Sequence, residues 1–392
     1  ITTIISREEI MKKMLCLVVI LLLSSSFVFG GGQKEEEEGY NILCSTYTPM
    51  DEFISCQNTM VKWFAEDHGV NLFWAETSKE CTGETQVKNA MSVLKTKDID
   101  GVLLCSPAAK PTKVVTDYCK ENNIPVVGFQ EPTDSPDLLL YVGTVPNIHG
   151  SICGIAMKKA LKDKFGEVRG KVFIVDTTPA SVTHHARTLG FMAELESEPN
   201  VIIERVEVQN ITVDASKKKT TSYLELGNDF DAGWGPSGAM PKGIIQALED
   251  YPNKSPEDKI IIGSEAYSDV MQGVRDGYVK AVSMPAAHYQ GVIAFKYLLD
   301  YLNGKELPEI GTKLDDFTVD GKARDGFDPW KAEYIKESCL PAEVMSLQEA
   351  IKGYPGIEDY YTYDYPFWSQ DVPIITIEEG DAPWVWGNFP YN

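Results

Sequence analysis

The sequence predicts an α/β fold of parallel sheets, each covered by helices on both faces. Three observations predict it. Short apolar runs recur along the chain, such as "YNILCSTY" at 40–47 and "IDGVLLCSP" at 99–107. Stretches with helical apolar spacing separate them. The alternation runs through twice, so two similar halves follow one another.

The first half opens with the strand "YNILCSTY" and a helix over Glu52 to His68. "VNLFWAET" is the next strand, rich in aromatic residues, with a helix over Thr85 to Lys95. "IDGVLLCSP" precedes a helix over Pro111 to Asn122, and "IPVVGFQE" and "LLLYVGT" complete the half. The second half starts with a helix over His149 to Phe165. Strands "GKVFIVDTT" and "VIIERVEV" follow, each leading into a helix, over Ala186 to Glu196 and Ser216 to Leu226. "DFDAGWG" leads into a helix ending near Leu248, and "KIIIGSEA" into one over Ser268 to Asp276. "VKAVSMP" is the last strand, before a helix over Tyr289 to Asn303.

Upstream of the fold, "MKKMLCLVVILLLSSSFVFGGGQKEEEE" begins at Met11. Lys12 and Lys13, the apolar run Met14 to Leu23 and the small residues Ser24 to Ser26 make an export signal, with Val28 and Gly30 before the cleavage point. The run is shorter than the roughly 20 residues of a membrane span. Residues 1–10 are read as lying upstream of the start. No cysteine stands where a lipoprotein signal needs one, since Cys16 lies inside the apolar run. A soluble, periplasmic protein with a cleaved signal is expected. Its charge predicts a disordered leader over 31–39.

The chain carries a formal charge of -22. Removing residues 1–30 takes away a net +1 and leaves -23. Such a surface repels nucleic acid and anionic lipid. Seven of the 8 cysteines remain after cleavage. Cys44 and Cys105 sit in apolar runs, and no CxxC or Cys/His spacing for zinc is present. Whether Cys56 and Cys81 pair is left open.

In open parallel sheets, ligands bind beyond the carboxyl ends of the strands, where helix N-termini also point. The polar and aromatic residues there are therefore the candidates. Tyr47, Asp51, Phe53, Ser106, Gln130 and Glu131 stand there in the first half. His185, Arg187, Trp234, Ser237 and Glu265 stand there in the second. Tyr47 and Trp234 suit either a flat apolar ligand face or packing into the lobe interface, and Glu265 suits either the pocket or the N-cap of the helix that follows.

Here "NNIPVVGFQE", "YVGTVPNIHG", "HHARTLGF" and "IIIGSEAYSDVMQGVRDGYVKAVSMP", with "IDGVLLCSP", resemble the ribose-type periplasmic binding proteins, the solute receptors of ABC importers. The resemblance spans about Tyr40 to Leu307. Each motif alone is weak; their order and spacing are specific. It implies two doubly wound parallel-sheet lobes joined by a three-crossover hinge, the type I architecture. The crossovers are expected near Thr144–Asn147, Met284–Ala286 and Leu314–Thr318. The implied lobes are 40–144 plus 286–314 and 145–285, with 315–392 as the third crossover and an aromatic-rich extension.

The resemblance also implies site residues, with departures. Gln130 stands where the family has Asp, and Glu131 where it has Arg. His185 replaces the first Arg of its motif, while Arg187 keeps the second. Ser237 replaces an Asn, Glu265 retains a carboxylate, and Pro285 replaces a Gln. A standard pentose or hexose pocket is therefore not implied. A neutral polyol-like or cationic ligand fits better than an anion.

The expected function is an exported receptor that captures a small polar solute, a sugar or sugar derivative, for a separate membrane permease and its ATPase, or for a chemoreceptor. It is expected to be a monomer with no cofactor, no metal and no catalytic residues. The alternative is a sensor subunit for a signalling sugar derivative that feeds a membrane kinase. The GxGxxG in "GWGPSG" at 233–238 offers a further alternative, an NAD-binding enzyme, but it follows a polar strand late in the chain. The aromatic tail from Tyr354 is too apolar for disorder, so it is expected to pack back over a lobe near the hinge or cleft rim.

Overall fold

In a computed structural model, the described residues are 39–49, 52–77, 83–106, 109–178, 181–352 and 361–389. The signal and leader readings over 1–38 lie outside them, as do Asp51 and Cys81. Cys56 is buried. Among the described residues, no helix is long and apolar enough to cross a membrane.

The first half forms β1 (Asn41–Thr46), α1 (Glu52–Asp67), β2 (Asn71–Glu76), α2 (Gly83–Leu94), β3 (Gly101–Leu104), α3 (Ala109–Glu121), β4 (Val126–Phe129) and β5 (Leu140–Gly143). The second forms α4 (Pro146–Phe165), β6 (Gly170–Thr177), α5 (Val182–Leu195), β7 (Val201–Val208), α6 (Val213–Glu225) and β8 (Ala232–Trp234). It continues with α7 (Ala239–Asp250), β9 (Ile260–Gly263), α8 (Ser268–Arg275) and β10 (Val279–Ser283). Then come α9 (Ala287–Leu302), β11 (Lys313–Leu314), α10 (Ala332–Cys339), β12 (Ala342–Ser346), α11 (Leu347–Ile351), β13 (Pro366–Ser369) and β14 (Ile374–Ile375).

Two sheets result, ordered β11-β12-β13-β5-β4-β3-β1-β2 and β14-β10-β9-β8-β6-β7. The strands of the predicted α/β halves pair in parallel, as in β1 with β3 and β6 with β8. The inner strands β3, β4, β5 and β9 are buried along their whole length, whereas the edge strands β2 and β7 are partly exposed. Beneath the first sheet, Val292, Phe295 and Leu298 of α9 meet Ile42, Leu103 and Val127. In the second lobe, Phe173, Val175 and Ile261 pack with Ile244 and Leu248 of α7. Pro146 opens α4 in the first turn, where its missing N–H costs nothing. Close approach of α4 and α5 needs glycine. A Cβ on Gly150 would lie 1.8 Å from the Arg187 carbonyl oxygen.

The tail is part of both sheets rather than a cover. β13 runs parallel beside β5, with Phe367 opposite Tyr141. β14 runs antiparallel to β10, with Ile375 opposite Val282. The sheet order corrects the third crossover. Leu314 pairs with Ala342 inside the first sheet, so the chain has not left that sheet at 314–318. It passes to the second sheet between Ser369 and Ile374.

Candidate functional site

The carboxyl ends of both sheets face one another across a narrow interlobe seam. Five side chains of the first lobe cross it. Glu131, two residues past β4, accepts a 2.6 Å hydrogen bond from Thr183 Oγ1 of α5. Glu52, at the start of α1, accepts bonds from the Ser268 backbone N–H (2.7 Å) and hydroxyl (3.0 Å) at the start of α8. Phe53, Ile54 and Cys56 of α1 are packed within the second lobe's apolar core. The lobes are therefore described in contact.

Behind Thr183 lies a buried ion pair. Arg187 Nη1 is 2.9 Å from Glu265 Oε1 and also donates to the Pro236 carbonyl at 2.9 Å. Glu265 Oε2 accepts from the Gly238 backbone N–H at 2.8 Å. Both side chains are 7% exposed. The glycine is required: a Cβ on Gly238 would stand 2.1 Å from the Tyr267 ring. "GWGPSG" is thus a turn that brings the Gly238 N–H to the Glu265 carboxylate and the Pro236 carbonyl to Arg187.

Burial pushes the Glu131 carboxyl up to about 7. The Thr183 bond and the Arg187 charge pull it down, and Glu265 pushes it up. These influences place Glu131 near the Arg187–Glu265 pair. Gln130, beside it, holds a positive φ of 61°. That conformation turns its amide to Gln57 of α1, whose Nε2 donates to Gln130 Oε1 at 2.6 Å. Tyr141 donates to the Gln130 carbonyl at 2.6 Å and braces the turn.

A second polar cluster underlies α5. Asp176, fully buried near the end of β6, accepts from Thr188 Oγ1 (2.6 Å) and the Thr177 N–H (2.7 Å). Arg205 Nε lies 3.1 Å and His185 Nδ1 3.4 Å from its other oxygen. Burial raises its pKa despite these partners. Burial, then the Arg187 charge, push the His184 pKa down to about 3, so His184 is neutral. His149 shares a 2.6 Å hydrogen bond with Ser283 and is held neutral by burial too.

The seam holds polar atoms that no protein atom satisfies. Gln57 Oε1, Gln86 Oε1, Arg187 Nε and Ser237 Oγ are buried without a hydrogen-bond partner. Each would cost on the order of 1–3 kcal/mol if left so. A ligand with several hydroxyls can satisfy such atoms. Among the described residues, no group of three His, Cys, Asp or Glu could hold a metal ion.

Most residues predicted from sequence lie at this seam. Tyr47 is partly exposed and touches the apolar cores of both lobes. The Ser106 hydroxyl bonds Thr112 at 2.6 Å. Two placements correct the reading. Trp234 is fully buried and stacked on Phe191, with centroids 4.0 Å apart and rings 1° from parallel. It is core of the second lobe and presents no face to a ligand. Phe53 is 5% exposed and packs edge-on against Trp386. Gln57, Thr183 and Asp176 were missed. Gln57 follows Phe53 by four residues, so the helical repeat places both on one face; that signal was available.

No curated protein matches the sequence. Solved structures share the fold. An ABC transporter periplasmic solute-binding protein from Actinobacillus succinogenes, with bound D-allose, is 17% identical, with a TM-score of 0.62 over 69% of this chain and 93% of that one. The periplasmic binding protein component of the arabinose ABC transporter from Shewanella sp. ANA-3, bound to α and β-L-arabinofuranose, is 21% identical. Its TM-score is 0.61, over 69% of this chain and 88% of that one. A substrate-binding protein of a sugar ABC transport system from Bordetella parapertussis is 14% identical. It reaches 0.67 over 90% of this chain and 94% of that one. The family described as "Periplasmic binding protein domain" matches residues 42–306. The chain belongs to that family of periplasmic binding proteins.

Proposed function

We propose that this periplasmic binding protein is the exported receptor of an ABC importer and captures a sugar or sugar derivative between its lobes. The carrying observation is the seam itself. A carboxyl from the first lobe bonds a hydroxyl of the second directly above a buried Arg187–Glu265 pair. Around it stand polar atoms with no protein partner. Hydroxyls of a sugar would bridge Gln57, Gln130 and Glu131 on one side to Thr183, Arg187 and Glu265 on the other. Tyr47, partly exposed beside both lobe cores, would cover a ring face.

Such a ligand contacts both lobes only when they are closed, so it favours the closed form by its differential affinity. The bound sugars of the structural relatives support the solute class. The membrane permease and ATPase would be separate chains. The test is a thermal-shift screen of the chain from Gly31 onward with sugars, polyols and NAD. A ligand at 100 times its dissociation constant adds about 2.7 kcal/mol, read as a rise of several degrees. A hit among sugars or polyols is expected. A hit with NAD alone would overturn the proposal.

A further inference from the structure

A groove near the hinge shares no lining residue with the seam. It has a volume of about 410 Å³ and fits a small molecule. Ten of its twelve lining residues lie beyond residue 306, where the family match ends. They come from β11, β12 and the passage after β13. The other two, Val145 and Ile148, open α4 at the first crossover.

Its chemistry is specific. Asp315, Glu343 and Asp371 line it against Lys313, three carboxylates to one ammonium, a net of -2. The carboxylates of Asp315 and Glu343 carry no hydrogen bond or ion pair among the described residues. Met345, Val372 and Pro341 give it an apolar wall. Gln370 also lines it. That side chain is 4% exposed, and neither its amide nitrogen nor its amide oxygen has a hydrogen-bond partner. A buried amide with both ends unsatisfied is costly unless a ligand completes it.

We propose that this groove is a second binding site, for a small organic dication with an apolar middle, such as a linear diamine. Two ammonium groups match the net charge, methylenes match the wall, and an N–H can satisfy the Gln370 amide oxygen. The site spans the first crossover and the passage at 370–373. A ligand there touches two of the three segments that connect the lobes.

The test is calorimetric titration of the chain from Gly31 with 1,4-diaminobutane at low ionic strength. Saturable binding is expected, at least about tenfold tighter than with 1,4-butanediol, its neutral counterpart. Glu343→Gln combined with Asp371→Asn is expected to weaken the diamine at least about tenfold, while Glu265→Gln in the seam leaves it within about twofold. No saturable binding, equal affinity for the diol, or loss through Glu265→Gln alone would overturn the proposal. Should the double variant fold poorly, a crystal of the unaltered protein soaked in the diamine decides. Density beside Glu343 and Gln370 supports the site, and density elsewhere or none rejects it. Sugar binding at the seam is independent of either result.

Discussion

Trp386 of the C-terminal tail stands between Phe53 of the first lobe and Tyr267 of the second, with ring centroids 5.9 Å from each. Both contacts are edge-on, at 87° and 67°. Its side chain is 1% exposed. An aromatic from beyond the family match therefore joins the two lobes. Close by, Arg275 of α8 bonds Asp381 at 2.7 Å and also bonds Asn388. The wedge is thus fixed to the second lobe by polar bonds and meets the first by ring packing.

Trp386→Ala removes that wedge and leaves a cavity. A loss of about 3–5 kcal/mol is expected in denaturant unfolding, as for other buried aromatics. A more open molecule by small-angle scattering is expected with it. Retention of full stability would show that the ring packing carries nothing.

Glu131 makes stability depend on pH. Its carboxyl is pushed from the ordinary 4.5 up to about 7. The native state therefore holds this proton more tightly than the unfolded chain. The associated stability is fully present below pH 4.5 and is lost as pH rises through 7. Glu131→Gln cannot ionise, so its melting temperature should gain on the unaltered protein across that window. Parallel melting curves from pH 4 to 8 would rule this out.

The alternation of strands and helices was legible because β3 and β9 are continuous apolar runs bounded by polar turns. The tail was not. β13 and β14 are four and two residues long, and prolines and acidic residues flank them. Pairing with β5 and β10, not local pattern, makes them strands. The same reason hid the third crossover, since nothing local to Lys313–Leu314 announces β12 as its partner. Trp234 was misread for want of strand parity. It shares a face with Ala232, two residues before it, and that face lies under α5. The departures at Gln130 and Glu131 were legible as residues, but the Thr183 contact across the seam depends on how the lobes meet.

Arg187 and Glu265 respond differently to truncation. Arg187→Ala leaves the Glu265 carboxylate buried without its cation, which costs about 3–5 kcal/mol. Glu265→Gln keeps an oxygen for the Gly238 N–H and should fold with a smaller loss. If the seam binds sugar, Glu265→Gln weakens that binding at least about tenfold while the melting temperature falls little. Unchanged affinity for the sugar found in the screen would remove Glu265 from the site.

Two truncations separate the tail's roles. Ending the chain after Pro373 deletes β14 and the Trp386 wedge but keeps β13 beside β5. The first sheet stays complete, while β10 is left as an unpaired edge strand, which invites association. Ending it after Glu349 also deletes β13. Phe367 and Trp368, both nearly fully buried in the first lobe, are then lost. The parallel edge of β5 is also exposed, and β12 loses one of its two partners. The shorter chain should therefore melt well below the longer one, and both below the full protein. Equal melting of the two truncated forms would mean that β13 contributes no stability. Equal melting of all three would mean that the extension adds no stability, against the packing onto a lobe that the sequence led one to expect.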